Sequence, residues 1–146
     1  MALAKKRAPS AKLRSAAFRR VRADHQTELA GDYVELIADL IDERGEARGT
    51  DIAMRLGVAN ATVVKTLKRL QDQGLVAQEP YRAIFLTENG MKMADDGRRK
   101  HRIVEGFLLA LGVNAETARI DSEGIEHHVS QETLRAMARF LARNSS

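Results

Sequence analysis

The sequence predicts a mainly α protein, a winged helix-turn-helix domain followed by an α-helical domain. Three observations lead there. Between residues 20 and 87 the order is long helix, short helix, glycine turn, short helix and hairpin, which is the winged helix-turn-helix order. Beyond residue 87 the apolar residues recur at helical spacing. The length of 146 residues suits one domain or two small ones sharing a core and excludes a large multidomain enzyme.

In chain order, Val34, Ile37 and Ile41, with Leu36 and Leu40, place a helix over about 20–44, stopped by Gly45. Thr50 or Asp51 is expected to cap a short helix bearing Ile52, Ala53 and Leu56, ended by Gly57, and Asn60 to cap the next, over about 61–73, ended by Gly74. Ala53 is small where two helices must cross. In the second of these helices Val63, Leu67 and Leu70 follow i, i+4, i+7 and should pack inward, which leaves Ala61, Thr62, Lys65, Thr66, Lys68 and Arg69 facing out. Residues 75–78 and 83–87 read as strands around Glu79-Pro80-Tyr81-Arg82, a hairpin signal with Pro at its tip. Thr87 opens a long helix over 88–111, closed by Gly112, and shorter helices follow over about 114–121, 124–128 and 130–143. The expected division is a basic, flexible arm over 1–22, a winged helix-turn-helix domain over 23–88 and a helical domain over 89–146.

Small and polar groups at a helix start, here Asn60, Ala61 and Thr62, can enter a major groove and approach base edges. Lys65, Lys68 and Arg69 can reach phosphates from the same face, which also carries Thr66, and Arg82 is placed as a wing contact. The competing reading is a winged helix used for protein contact, or an ordinary solvated helix face.

Composition narrows the classes further. Hydrophobic residues at 44% and charged residues at 30% suit a soluble globular chain, whereas 4% aromatics without Trp argue against a base-stacking single-strand binder. Zero Cys excludes disulfides, thiolate zinc sites, iron-sulfur clusters and cysteine nucleophiles. No apolar run approaches the roughly 20 residues that span a bilayer, and no hydrophobic signal core opens the chain, so a cytoplasmic protein is expected. The net charge of +4 is asymmetric: residues 1–22 hold eight of the 24 basic side chains and none of the 20 acidic ones, so the body is net −4. A basic arm on a mildly acidic body suggests phosphate contact in trans, and a solvated tail fits the same composition.

One polar constellation does not belong to DNA reading. Glu123, Glu126 and His127 stand at i, i+3, i+4, which brings three candidate ligands to one side of a helical turn. His101 and Glu105 repeat the i, i+4 spacing, and Asp32 and Glu35 form a pair at i, i+3 beside core-facing residues. Acids gathered near a core need basic partners or a cation. Each pair alone is compatible with a solvated face, and His128 points elsewhere on the turn.

Taken together, the Glu123-Gly124-Ile125-Glu126-His127-His128 block downstream of a winged helix resembles the manganese-responsive branch of the diphtheria-toxin-repressor-like family of metal-dependent transcriptional regulators. The resemblance runs from about Gly31 to Arg143, with further matches at Asp32-Tyr33-Val34-Glu35, the helix-turn-helix, and His101 with Glu105. It implies a DNA-binding domain followed by a metal-binding and dimerisation domain. It also implies Asp32, Glu35, His101, Glu123, Glu126 and His127 as metal ligands, in a cluster that holds two ions per subunit with Glu123 and Glu126 able to bridge. The iron-responsive branch has Cys where this chain has Glu123 and Met where it has Asp32; hard oxygen ligands in both places suit Mn²⁺. That branch's ancillary site uses a His where Arg119 stands, and Glu105 is left as a spare carboxylate.

The function implied is a Mn²⁺-dependent repressor of metal uptake genes that binds double-stranded, palindromic operator DNA. Apolar residues of the long and final helices, Ile103, Val104, Phe107, Leu108, Leu111, Leu134, Met137 and Phe140, exceed the needs of one small core and point to a homodimer presenting two recognition helices. The alternatives are the same fold answering to Fe²⁺, a dinuclear metal hydrolase, and a metal-free winged-helix repressor.

Overall fold

The computed structural model describes residues 7–8, 10–79 and 83–145. Six helices and a two-stranded sheet follow one another as α1 (Ala11–Arg44), α2 (Gly49–Leu56), α3 (Asn60–Asp72), β1 (Val76–Gln78), β2 (Ile84–Leu86), α4 (Glu88–Ala110), α5 (Ala115–Glu126) and α6 (Gln131–Asn144). The strands are antiparallel, with Val76 opposite Leu86 and Gln78 opposite Ile84. Ile84 also pairs with Ala47, its N–H donating to the Ala47 carbonyl at 2.8 Å, which ties the α1–α2 connection to the wing.

Helix α1 runs 34 residues and begins nine residues earlier than its apolar periodicity suggests. The Ser10 hydroxyl accepts from the Leu13 amide at 3.3 Å and so caps the helix. Residues 11–23 are exposed, so their helix comes from this cap and from Ala, Leu, Lys and Arg, all strong helix formers, rather than from burial. Residues 11–22, expected as part of the basic arm, are helical. Two caps differ as well: Arg48 precedes α2 and Ala59 precedes α3, neither with a side-chain cap, while Thr50, Asp51 and Asn60 lie inside the helices. The predicted helices over 114–121 and 124–128 are one helix, α5, capped by Asn114 and continuous through Gly124. An interior Gly costs about 1 kcal/mol; the packing of α5 against α4, with Ala118 fully buried, works against that cost.

The first core is built by Tyr33, Val34, Ile37 and Leu40 of α1, Ile52 and Ala53 of α2, Val63, Leu67 and Leu70 of α3, and Val76 and Ile84 of the strands. Each large side chain contributes roughly 1.5–3 kcal/mol by leaving water. Helix α4 crosses from this core to a second, smaller one, since Ala94 packs in the first while Val104 is buried with Ala118 and Leu134. Gly90 makes the crossing possible: a Cβ there would run into the Leu75 carbonyl, so only glycine lets the first turn of α4 press against the wing. Thr87 fastens the same junction, its hydroxyl donating to the Gly74 carbonyl at 2.6 Å and accepting from the Gly90 amide at 3.1 Å. In the second half Phe107 and Phe140 meet edge to face at 5.2 Å, and Leu109, Leu111 and Ile120 are exposed.

Candidate metal centre and nucleic-acid interface

Three helices deliver the acid and imidazole groups. Asp32 and Glu35 lie on α1, His101 and Glu105 on α4, and Glu123 and Glu126 on α5, with His127 as its C-terminal cap. A cleft between α1, α4 and α5 is lined by Asp32, Glu35, His101, Glu123, Glu126 and His127, so all six residues marked in the sequence reach one place.

Within it the donors are paired with one another. His101 Nδ1 is 2.9 Å from Glu126 Oε2 and His101 Nε2 is 2.7 Å from Glu105 Oε2. A neutral imidazole carries one N–H, so satisfying both contacts takes an additional proton, on the ring or on a carboxyl. Glu126 is buried and Glu123 is exposed at the rim. His127 Nε2 is 3.8 Å from Asp32 Oδ1 and 3.8 Å from Glu126 Oε1. Among the described residues no three of these groups are already drawn into a coordination shell.

Electrostatically the cleft is short of positive charge. Burial, then repulsion by Glu126, Asp32 and Asp39, raises the Glu35 carboxyl to about 7. Asp32 is raised mainly by burial against the opposing pull of His127, and Glu126 mainly by burial against its bond to His101. Glu35 is pressed against α4 at Gly97, where a Cβ would collide with its carboxylate. At the edge of the cleft Arg98 pairs with Asp39 at 2.5 Å and Asp42 at 3.4 Å, joining α4 to α1. These are half-exposed pairs and hold the helices together only modestly.

Glu28 was not marked in the sequence, yet its Oε1 lies 3.7 Å from His127 Nε2 in the same cleft. The signal was present: Glu28, Asp32 and Glu35 follow i, i+4, i+7 and form one stripe on α1. Glu105 is not spare, because it holds the second nitrogen of His101. His128 is exposed and lines a different depression.

On α3 the structure exposes Asn60, Ala61, Thr62, Lys65, Lys68 and Arg69. Thr66 is buried with Val63, Leu67 and Leu70, which corrects its assignment to the outward face. Its position three residues after Val63 and four before Leu70 puts it on the inner stripe whatever its polarity. Val64 is 66% exposed among the outward basic residues and was overlooked because an apolar residue is assigned inward by default. Arg82 lies outside the described residues.

Two family signatures cover this arrangement: residues 25–84 match the N-terminal DNA binding domain of iron dependent repressors, and residues 87–145 match their metal binding and dimerisation domain. The chain is 55% identical over 129 residues, 88% of its own length and 83% of the relative's, to the transcriptional regulator MntR of Escherichia coli O157:H7. It is 41% identical over 99 residues, 68% of this chain and 70% of the relative, to the HTH-type transcriptional regulator MntR of Geobacillus thermodenitrificans. Among solved structures, the manganese regulator SloR aligns with a TM-score of 0.67 at 28% identity, over 77% of this chain and 53% of SloR. ScaR with bound Zn²⁺ aligns with a TM-score of 0.69 at 27% identity, over 77% of this chain and 53% of ScaR. The chain thus spans about half the length of these two solved proteins.

Proposed function

Because this chain belongs to the iron dependent repressor family of metal-dependent, DNA-binding transcriptional regulators, we propose that it is a repressor of metal uptake genes and that its effector is Mn²⁺. Membership in a family of regulators disposes of the hydrolase alternative. No described helix is long and apolar enough to cross a membrane.

The observation that carries the reading is the convergence of Asp32 and Glu35, His101, and Glu123, Glu126 and His127 from three helices on one cleft with raised carboxyl pKa values. The donors fit a hard divalent cation: carboxylate oxygens and imidazole nitrogens, with no sulfur. The names of the relatives, MntR and the manganese regulator SloR, support the same metal. Asp32, Glu35, His101, Glu123, Glu126 and His127 would hold the ion or a pair of ions, which when bound supply the positive charge the cleft lacks.

The protein's own part is mechanical. Helix α1 packs into the core that positions α3, whereas α4 and α5 build the second half. Without added charge the clustered carboxylates repel, or hold protons, and the two halves are loosely tied across the cleft. Drawing Asp32 and Glu35 toward His101, Glu126 and His127 fixes α1 against α4 and α5, which favours the arrangement that reads DNA. This is coupling through differential affinity for two states. A homodimer then presents two α3 helices to a palindromic site. Asn60, Ala61, Thr62 and Val64 would approach base edges; Lys65, Lys68, Arg69 and the wing's Arg82 would meet phosphates.

The test is operator binding by mobility shift with no metal, with Mn²⁺ and with Fe²⁺ under anaerobic conditions, alongside bound-metal content. Tight binding with Mn²⁺ is expected. Preference for Fe²⁺ would move the assignment to the iron branch, and indifference to metal would end it.

A further inference from the structure

We propose that Glu28 is an additional metal-binding residue of this chain, donating a carboxylate oxygen to the ion that His127 and Asp32 hold. The inference rests on the reading of this cleft as a metal centre and adds a residue to it.

Glu28 lies one helical turn before Asp32, and the same stripe continues to Glu35. Around His127 Nε2 three carboxylates stand at nearly one distance: Glu28 at 3.7 Å, Asp32 at 3.8 Å and Glu126 at 3.8 Å. These separations are too long for hydrogen bonds. For hard cations, whose oxygen ligands stand roughly 2.0–2.6 Å away, two donors on one ion lie roughly 3–4 Å apart, so each of the three carboxylates stands from His127 at the separation of a co-ligand, and small side-chain movements would draw them into one shell. The Glu28 side chain is 30% exposed, comparable to the 31% and 29% of His101 and Glu105, and it faces the same cleft.

Charge favours the same assignment. Glu28 shares the cleft with the carboxylates of Asp32, Glu35, Glu123 and Glu126. On its own helix Glu28 has His25 3.8 Å away, a 78% exposed side chain that is a weak counter-charge for it. A cation between Glu28, Asp32 and His127 would relieve this repulsion and would recruit α1 one turn further toward its N-terminus than Asp32 alone. The basic segment of α1 begins just beyond, so the grip extends to the part of the helix that carries Arg19 and Arg22.

The experiment measures Mn²⁺ affinity and stoichiometry by calorimetry, and the loss of the free-ion electron paramagnetic resonance signal, on full-length protein carrying Glu28→Gln, Asp32→Asn, both, or Glu126→Ala. Glu28→Gln should weaken Mn²⁺ binding about tenfold or more, the scale of losing a supporting carboxylate at a metal site. If Glu28 and Asp32 serve one ion, the double variant should lose less than the product of the single losses. Glu28→Asp, which withdraws the carboxylate by one methylene but keeps its charge and helix, should fall between the wild type and Glu28→Gln. Circular dichroism of each metal-free variant identifies any loss of fold. Wild-type affinity and stoichiometry in a folded Glu28→Gln protein, with Glu126→Ala impaired, would overturn the role of Glu28 alone. Unimpaired binding by Glu126→Ala as well would overturn the reading of the cleft on which it rests.

Discussion

The half that reads DNA and the half that follows it bury their side chains in opposite ways. In the first, α1, α2, α3 and the wing close around a continuous apolar core, and the outward residues of α3 include Lys65, Lys68 and Arg69 beside the small Ala61 and Thr62. In the second, Val104, Ala118 and Leu134 are buried and Leu109, Leu111 and Ile120 are exposed, and where α4 and α5 meet α1 a polar cleft holds carboxylates whose pKa values are raised. The apolar core of the first half is complete by itself; the second half is short of apolar cover, and the cleft between the two is short of positive charge. A dimer partner would supply the first and a cation the second, which would set control at the cleft and recognition on α3.

The comparison breaks most plainly at Glu126 and His127. Replacing either by Ala is expected to abolish the Mn²⁺-dependent gain in operator affinity while leaving metal-free, non-specific DNA binding unchanged, since neither residue is on α3. A mobility-shift titration checks both arms. A variant that still responds fully to Mn²⁺ would remove the second half from the control circuit.

Gly97→Ala sharpens the same contrast by separating stability from metal binding. Ala is the better helix former by roughly 0.5–1 kcal/mol, and the atom its Cβ would strike is the mobile end of Glu35. The variant should therefore fold normally and yet bind Mn²⁺ about tenfold more weakly, because Glu35 is pushed from its place. Thermal melts of the metal-free protein and calorimetry with Mn²⁺ report the two quantities independently.

Protonation gives a third handle. The Glu35 carboxyl sits at about 7 in the folded chain against an ordinary value of 4.5, so between those pH values the folded state holds more proton than the unfolded one. Stability of the metal-free protein from this group is full below about 4.5 and is lost as pH rises through about 7. Denaturant titrations from pH 5 to 8 should show that decline, reduced in Glu35→Gln. Metal affinity should run the other way and rise over the same window, with protons released on binding, because the ligating carboxylates must be ionised.

How far the sequence revealed all this differs between the halves for physical reasons. Breaks at Gly45, Gly57, Gly74 and Gly112 were legible because each has positive φ, and the inner stripe of α3 was legible from Val63, Leu67 and Leu70. Thr66 was misplaced because polarity was weighed above position. The start of α1 was missed because residues 11–23 are solvent-facing and carry no apolar periodicity, leaving only the Ser10 cap as a signal. The expected break between Asp121 and Gly124 does not exist, and α5 runs through it. The cleft residues were legible one local pair at a time; that α1, α4 and α5 converge is a property of tertiary packing, and Glu28 became visible only through His127.

The smallest effects belong to the basic groups of the first half, and they can be graded. Lys65→Ala should weaken binding to operator and random DNA alike and make the salt dependence shallower by about one unit of slope, as one lost phosphate contact does. Deleting residues 1–20 removes seven of the 24 basic side chains and, by ending before Glu28 and Asp32, should leave Mn²⁺ stoichiometry unaltered. Its effect on DNA should be confined to low salt, because solvent-exposed charges are screened beyond about 8 Å at physiological ionic strength. The helix that begins at Ala11 is continuous with the segment holding Tyr33, Val34 and Ile37 in the core that α3 also enters, so Arg14 and Arg19 project from an anchored helix rather than from a loose tether. Such an arm should strengthen the specific complex as well as random binding, whereas a tether would affect random binding alone. Fluorescence anisotropy of both proteins on operator and on random duplex, across a salt series, separates these outcomes. Coincident curves for the full and truncated chains on both duplexes would reduce the arm to a solvated helix.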